Sequence, residues 1–352
     1  MIRRNDNGGL PGRGMGVLTR QYRTFMGIRE YWREFSRQNG ADWVHLLNGD
    51  ECTYAVAALG SPVAGPRVSM VLFQDYLSSD LSAGDVRARV KARLKKHALA
   101  GLLNRREVGC VLTTNPFLAK QAALHKADKY RKLSYIHEIE ATWRRNKTQK
   151  EARQEFSLPA TAHVLVCYGS LEPRRKNIGY LLDLLERDAD GELVGLLVGT
   201  VSPTCQCLLD ESRAKVLMDR GKLLVRPGFA SSRLEELAFS AADAVWLAYK
   251  NFTGPSGVLE LACAAEVPVI ACMGGVIGEI VSTEELGGVI GGEDLEADYR
   301  TIIRLLTDDV SYQRAVAACR CRGLQGEIGT FGNAICDAIA KAEYGAKRAT
   351  KS

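Results

Sequence analysis

Residues 251–281, NFTGPSGVLELACAAEVPVIACMGGVIGEIV, decide how the rest of this 352-residue chain is interpreted. Their pattern indicates a turn, a short helix carrying Glu260, a buried strand ending near Cys272, and a Gly-Gly turn that opens another helix. The first N–H groups of a helix have no partner within it, so the turn 254–257, with Ser256 as N-cap, is suited to an anion. Glu260, one helical turn beyond Ser256, is placed to bind neighbouring sugar hydroxyls. The stretch therefore predicts a site for a phosphate beside a sugar, the two groups of a nucleotide sugar.

Three linked elements of this stretch resemble the donor-site signature of retaining GT-B glycosyltransferases of group 1 (family 4). They are Ser256-Gly257-Val258-Leu259-Glu260, Pro268-Val269-Ile270-Ala271, and Gly274-Gly275 with Glu279-Ile280-Val281. The resemblance implies an α/β protein of the GT-B fold, with two Rossmann-like β/α/β domains facing a cleft. It also implies donor-binding roles for the first element, with Glu260 holding donor hydroxyls. The alternative is a Rossmann-like turn, helix and strand without sugar chemistry.

A second donor-site element is predicted at residues 168–177, YGSLEPRRKN. It resembles the family loop "G-R/S-L-x-x-x-K-x", which implies that Gly169 and Ser170 line the donor site. Arg175 or Lys176 would then contact the diphosphate, since an anion in a partly dry cleft needs a fixed cation. These cations and the helix starting near Gly257 would stabilise the departing diphosphate, so neither a metal ion nor another cofactor is expected. Taken alone, the segment also fits a basic surface turn.

Composition is that of a soluble globular protein, with 46% hydrophobic and 25% charged residues. The length favours two domains. No apolar run approaches the length of a membrane span and the first residues do not resemble a signal peptide, so a cytoplasmic location is expected. The ten cysteines are scattered through apolar runs, which favours reduced core residues over a disulfide framework.

Charge differs between the two halves. Residues 1–156 carry 27 Lys and Arg against 15 Asp and Glu, whereas the remainder carries 20 against 26. A basic half predicts an anionic partner. Together with the resemblance, this favours a UDP- or GDP-sugar donor, a glycan or lipid-linked acceptor and peripheral contact with the anionic inner face of a membrane, and no nucleic-acid partner is expected.

Alternating helix and strand patterns predict an acceptor-side domain over residues 1–155, which is abbreviated for the family. A donor domain follows over 156–325, and 326–352 form a helix that packs back on the first domain. Within the first domain, the helix 86–106 spaces Val86, Val90, Leu94, Ala98 and Leu102 by four residues among six Lys and Arg. Packing of that apolar stripe on the sheet is favoured over contact with an anionic bilayer.

Four residues are candidates on the acceptor side. Gly8 and Gly9 lie in the glycine-rich stretch 5–16, which is either a loop whose preceding strand is missing or an N-terminal arm. Gln74 stands where the family usually has a histidine, and the adjacent Asp75 either positions an acceptor hydroxyl or caps the following segment. A further departure is Phe252, eight residues before Glu260, where the family often has an acid. These departures leave a second hypothesis open, a catalytically degenerate nucleotide-sugar-binding or scaffold protein.

Overall fold

The structure, a computed structural model, describes residues 16–77, 86–124, 130–137, 146–188, 191–250, 252, 254–324 and 328–349. The chain divides into two compact units, residues 1–136 with 333–352 and residues 137–332. Both are α/β units built on parallel sheets, as the sequence predicts, and each is described by itself. None of the described helices is both long and apolar enough to span a membrane.

The first unit is built around a four-stranded sheet in the order β1-β2-β3-β4, with every neighbouring pair parallel. The strands are β1 Trp43–Leu46, β2 Arg67–Leu72, β3 Val108–Thr113 and β4 Leu133–Tyr135. The helices are α1 Val17–Phe35, α2 Thr53–Leu59, α3 Val86–Asn104 and α4 Pro116–Leu124, with a single 3-10 turn at Gly49–Glu51. All of β3 is buried, as expected for a parallel sheet covered on both faces.

Only the second half of α3 packs on this unit. Ala98 and Leu102 are buried, whereas Val86, Val90 and Leu94 are 62%, 51% and 55% exposed. The predicted five-residue packing stripe is therefore wrong for its first three members. The reason is the length of the neighbouring helix, since the seven residues of α2 span about 10 Å and the nineteen of α3 about 28 Å.

The last helix, α15 Ile328–Ala349, belongs to the first unit from residue 333 onward. The Trp43 indole donates a hydrogen bond of 2.8 Å to the Glu343 carboxylate, and Arg67 donates one of 3.4 Å to the carbonyl of Ala342. The Arg67 guanidinium also lies 4.8 Å from the centre of the Trp43 ring. These contacts join the C-terminal segment to the first strands of the sheet.

The second unit is built around a six-stranded parallel sheet in the order β10-β9-β8-β5-β6-β7. Its strands are β5 His163–Tyr168, β6 Leu193–Gly199, β7 Leu223–Pro227, β8 Ala244–Leu247, β9 Val269–Cys272 and β10 Gly287–Ile290. Its helices are α5 Gln149–Phe156, α6 Pro173–Lys176, α7 Ile178–Arg187, α8 Pro203–Leu209, α9 Ser212–Asp219, α10 Ser232–Ala241, α11 Gly257–Ala264, α12 Gly275–Thr283, α13 Leu295–Thr307 and α14 Asp309–Gly323. The order reverses between β5 and β8, which pair directly. Such a switch point opens a crevice at the carboxyl ends of two strands, where open α/β sheets bind ligands.

One helix of this unit precedes a predicted helix and was not expected from the sequence. The sequence pattern predicts one helix over residues 208–220, which corresponds to α9 Ser212–Asp219, and it does not predict α8 Pro203–Leu209. The start of α8 is set by Ser202, whose hydroxyl accepts a hydrogen bond of 3.1 Å from the amide of Cys205, and by Pro203 in the first turn. Both are ordinary helix-start signals, and they account for the helix that the prediction lacks.

Candidate functional site

A cavity of about 430 Å³ lies at the switch point of the second unit. The segment after β5 lines it with Tyr168, Gly169, Ser170, Arg175 and Lys176. The segment after β8 and the start of α11 line it with Tyr249, Phe252, Pro255, Ser256, Gly257, Val258 and Leu261. The two sequence elements predicted to bind a donor therefore meet in one place.

The turn after β5 places two cations on the wall of this cavity. Gly169 has φ of +96°, a conformation that glycine adopts without strain, and its amide donates to the carbonyl of Val198 at 2.9 Å. Glu172 then caps the single turn of α6, its carboxylate accepting from the amide of Arg175 at 2.8 Å, and Pro173 occupies the first turn. A one-turn helix therefore begins directly after the bend and carries Arg175 and Lys176.

Two hydrogen bonds join this short helix to the neighbouring strand segment. The Lys250 amide donates to the carbonyl of Arg175 at 2.9 Å, and the Trp246 indole donates to the carbonyl of Lys176 at 2.8 Å. Trp246 lies in β8 and is fully buried. The backbone that carries both cations is therefore held by the sheet and not only by its own turn.

Lys176 is a buried cation at the cavity wall, with a residue exposure of 1%. Its amine donates hydrogen bonds of 2.6 Å to the carbonyl of Tyr168 and to the hydroxyl of Tyr249. Burial lowers the pKa of Lys176 from 10.5 to about 8, and the charge of Arg175 acts in the same direction. No carboxylate among the described residues forms an ion pair with Lys176, so an anionic ligand would supply the missing counter-charge.

Arg175 is half-buried and lies against two aromatic rings. Its guanidinium carbon is 5.1 Å from the centre of the Tyr249 ring and 5.7 Å from that of Phe252, and one N–H donates to the carbonyl of Ser170 at 3.2 Å. Tyr249 and Phe252 meet edge to face at 5.5 Å. Phe252 stands where the family often has an acid, and here its ring supports the cation beside the cavity.

The start of α11 presents backbone N–H groups to the same cavity. Ser256 is the N-cap residue, but its hydroxyl makes no capping bond. The amide of Leu259 bonds to the carbonyl of Ser256, whereas those of Gly257 and Val258 have no partner within the described part of the chain. An anion here would meet free amides, the positive end of the helix and two side-chain cations.

A second glycine turn, at the start of α12, packs close behind this site. Gly275 has φ of +75°, and a Cβ built on it would lie 2.7 Å from the carbonyl oxygen of Phe252. A larger residue would displace that carbonyl or strain the turn. The second glycine of the Gly-Gly pair is therefore explained by its approach to the segment that carries Phe252, whereas a Cβ on Gly274, at φ of +81°, would meet nothing within 4 Å.

Glu260 is not among the described residues that line this cavity, and its role in binding donor hydroxyls stays a prediction. Its carboxylate accepts a hydrogen bond of 2.7 Å from Arg322 of α14, and both side chains are almost fully buried. The same guanidinium binds Glu284 at 2.7 and 2.8 Å. Successive residues of a helix are rotated by about 100°, so Leu261 faces the cavity while Leu259 and Glu260 do not.

The acceptor-side candidates lie in the first unit. Gln74 is exposed, and Asp75 is buried with its carboxylate accepting from the amide of Leu77 at 2.9 Å, a contact that fits the capping alternative. Gly8 and Gly9 lie outside the residues that the structure describes.

Sequence reasoning missed Asp50, whose carboxylate organises this segment. It accepts from the amides of Phe73 and Gln74 at 2.8 and 3.2 Å and from the hydroxyl of Tyr76 at 2.7 Å. Burial raises the pKa of Asp50, and these hydrogen bonds oppose the shift. The contacts cross more than twenty positions of sequence, so no local pattern indicates them.

No protein-family model and no curated protein matches the chain. Solved structures match it over most of its length. The structure of HepE from Anabaena in complex with UDP has a TM-score of 0.65 at 15% identity, covering 91% of this chain and 82% of HepE. A glycosyltransferase from Rickettsia africae has a TM-score of 0.61 at 14% identity, covering 97% and 84%. Sucrose-phosphate synthase from Thermosynechococcus elongatus has a TM-score of 0.59 at 19% identity, covering 95% and 80%. At such identities these likenesses bear on architecture, and they show that the chain has the GT-B fold of glycosyltransferases, with two parallel-sheet domains.

Proposed function

We propose that this protein is a glycosyltransferase that moves a sugar from a nucleotide-diphosphate donor to a hydroxyl acceptor. The proposed sugar is a hexose. The observation that carries the proposal is the cavity at the switch point, where Arg175, Lys176 and the free amides of Gly257 and Val258 converge. Each of these groups favours negative charge, and together they suit a diphosphate. Anabaena HepE, with the same fold, has been solved with UDP and with UDP-glucose, which supports a nucleotide-sugar donor.

In this proposal the diphosphate is the leaving group. Arg175, Lys176 and the start of α11 stabilise the negative charge that develops on it, and the backbone bonds from Trp246 and Lys250 keep the two cations in place. The departing phosphate oxygen takes the proton of the acceptor hydroxyl, and the anomeric configuration is kept. Charge stabilisation by these groups would suffice without a metal ion, and a UDP- or GDP-sugar is the expected donor.

The acceptor is proposed to be a glycan or a lipid-linked sugar at an anionic membrane surface. The first half of α3 supports this part, because Val86, Val90 and Leu94 are more than half exposed. The basic residues around them are exposed as well, namely Arg89, Lys91, Arg93 and Lys96. Apolar side chains among Lys and Arg suit the interface of an anionic bilayer.

A second candidate is a nucleotide-sugar-binding protein without transferase activity. It is favoured by the cavity wall, where Phe252 and Leu261 lie and where none of the described lining residues is an acid. Such a protein would bind the donor without turning it over.

The proposal is tested by measuring the release of nucleoside diphosphate from UDP- and GDP-sugars. The assay is run with and without a panel of glycan and lipid-linked acceptors. We expect release by the parent protein and a loss of roughly a hundredfold or more in Arg175→Ala/Lys176→Ala, as for removal of transition-state charge stabilisation elsewhere. Arg174→Ala is the matched control, since Arg174 is exposed, lies on the same turn and does not line the cavity. Binding without turnover would favour the second candidate, and an absence of binding would contradict both.

A further inference from the structure

The two cations of the cavity share one aromatic partner, Tyr249. The Tyr249 hydroxyl accepts a hydrogen bond of 2.6 Å from the Lys176 amine, and the same amine lies 4.6 Å from the centre of the Tyr249 ring. The guanidinium carbon of Arg175 lies 5.1 Å from that ring centre. A single side chain from the segment after β8 therefore contacts both cations of the segment after β5.

Tyr249 is itself held firmly on the cavity wall. It is almost fully buried, its amide donates to the carbonyl of Leu247 at 2.6 Å, and its ring meets that of Phe252 edge to face at 5.5 Å. Burial raises the pKa of Tyr249, and the nearby side chains of Arg175 and Ser256 oppose the rise. Tyr249 is therefore an uncharged acceptor in neutral solution, with a ring whose place is fixed by its neighbours.

The Lys176 amine depends on the Tyr249 hydroxyl to satisfy its charge. An ammonium has three N–H donors, and the carbonyl of Tyr168 accepts a second hydrogen bond at 2.6 Å. The described residues offer no acceptor for the third N–H, which leaves it for a ligand in the cavity. Burial lowers the pKa of this amine to about 8, while the charge of Cys167 in β5 opposes the shift and that of Arg175 adds to it. The loss of one of its two acceptors should therefore move the amine further toward the neutral form.

We propose that Tyr249 is a positioning residue of the donor site, which holds the Lys176 amine and the Arg175 guanidinium toward one diphosphate and keeps the amine protonated in neutral solution. The inference rests on the proposed nucleotide-donor function and deepens it. A hydrogen bond from an ammonium is stronger than the one that a neutral amine makes, so the hydroxyl favours the charged form. The face of the ring favours both cations as well.

The inference is tested with Tyr249→Phe, which keeps the ring and removes the hydroxyl. The full chain is titrated calorimetrically with UDP and with GDP at about pH 6 and about pH 8. Without the hydroxyl the pKa of Lys176 should fall by about one unit, the difference between a charge-assisted and a neutral hydrogen bond. We therefore expect Tyr249→Phe to bind about fivefold more weakly than the parent at about pH 8 and nearly as tightly at about pH 6, where the amine of both proteins is protonated. The comparison of two proteins at one pH cancels the titration of the nucleotide itself.

Tyr168→Phe is the control for the hydroxyl. The hydroxyl of Tyr168 donates to Glu235, and only the carbonyl of Tyr168 meets the amine. The affinity of Tyr168→Phe relative to the parent should therefore be the same at both pH values. An affinity ratio between Tyr249→Phe and the parent that does not change with pH would overturn the inference and leave the proposed donor site standing. If the parent binds neither UDP nor GDP, the proposed function fails and the inference fails with it.

Two further variants separate the ring from the hydroxyl and test the route through Lys176. Tyr249→Leu removes the ring as well, so it should weaken binding at about pH 6 too, and either variant decides the part of the hydroxyl because both lack it. In a Lys176→Met background the pH-dependent part of the Tyr249→Phe effect should vanish, as a double-mutant cycle requires of a residue that acts through another. A pH-dependent effect that persists in that background would contradict the role assigned to Tyr249.

Discussion

Removing Arg322 is expected to destabilise the second unit strongly. Its guanidinium holds the carboxylates of Glu260 and Glu284, and its side chain is 4% exposed. In Arg322→Met the Glu260 carboxylate, 6% exposed, loses its partner, and breaking a buried pair in this way costs about 3 to 5 kcal/mol. For a unit of this size each kcal/mol lowers Tm by roughly 2 to 4 °C, so we expect a fall of about 10 °C.

A matched control lies two residues earlier on the same helix. Arg320 pairs with Glu266 at 2.6 Å, but the two side chains are 59% and 39% exposed. Because solvent screens such a pair, Arg320→Met should cost less than about 1 kcal/mol. Urea unfolding followed by circular dichroism measures both variants against the parent.

The double variant Glu260→Leu/Arg322→Met separates the loss of the pair from the burial of an unpaired charge. We expect it to recover most of the stability, because an apolar pair of similar volume often replaces a buried ion pair without loss. The Nε atom of Arg322 has no hydrogen-bond partner among the described residues, so the guanidinium is not fully satisfied within that part of the chain. Equal losses in Arg322→Met and Arg320→Met would refute this reasoning. So would a loss of nucleotide affinity without loss of stability in Glu260→Gln, which would return Glu260 to the donor site.

Three further predictions concern the cavity and α3. Binding of a nucleoside diphosphate should weaken as pH rises through about 8, the pKa to which burial lowers Lys176, because the anion prefers the protonated amine and the free protein must then take up a proton. Calorimetry in buffers of different ionisation enthalpy should show this uptake, and a flat pH profile would contradict it. Gly275→Ala should destabilise the protein by about 1 to 3 kcal/mol in urea unfolding and weaken nucleotide binding, because the new Cβ meets the Phe252 carbonyl at 2.7 Å. Gly274→Ala, at φ +81° with nothing within 4 Å of the new Cβ, is the control for backbone strain alone, and equal losses would count against the contact. Co-sedimentation with anionic vesicles should fall when Arg89, Lys91, Arg93 and Lys96 are changed to Ser and when salt is raised, whereas binding that ignores both changes would exclude the membrane contact.

The local pattern of the chain was sufficient to predict most of the secondary structure and the two segments that meet at the cavity. The strand His163–Tyr168 has the bounds that its apolar run predicts, since a buried parallel strand must be apolar on both faces. Glycines and a proline mark the turns after β5 and β8, and the cations that follow β5 are read directly from the letters. Parallel strands bring their carboxyl ends to one edge, so the meeting of these two segments also follows from the pattern.

The tertiary structure decided which of these side chains face the cavity. A shift of one residue on α11 turns a side chain by about 100°, so the motif could not tell whether Glu260 or Leu261 faces a ligand. The answer depends on Arg322, 62 positions away in sequence, whose buried charge requires an acid beside it. The contacts of Asp50 and the exposure of the first half of α3 also depend on the tertiary structure. Both are determined by packing between segments that are distant in sequence. Periodicity determines which residues can form a helix or strand, whereas the orientation of a charged side chain is determined by the partners that only the folded chain brings to it.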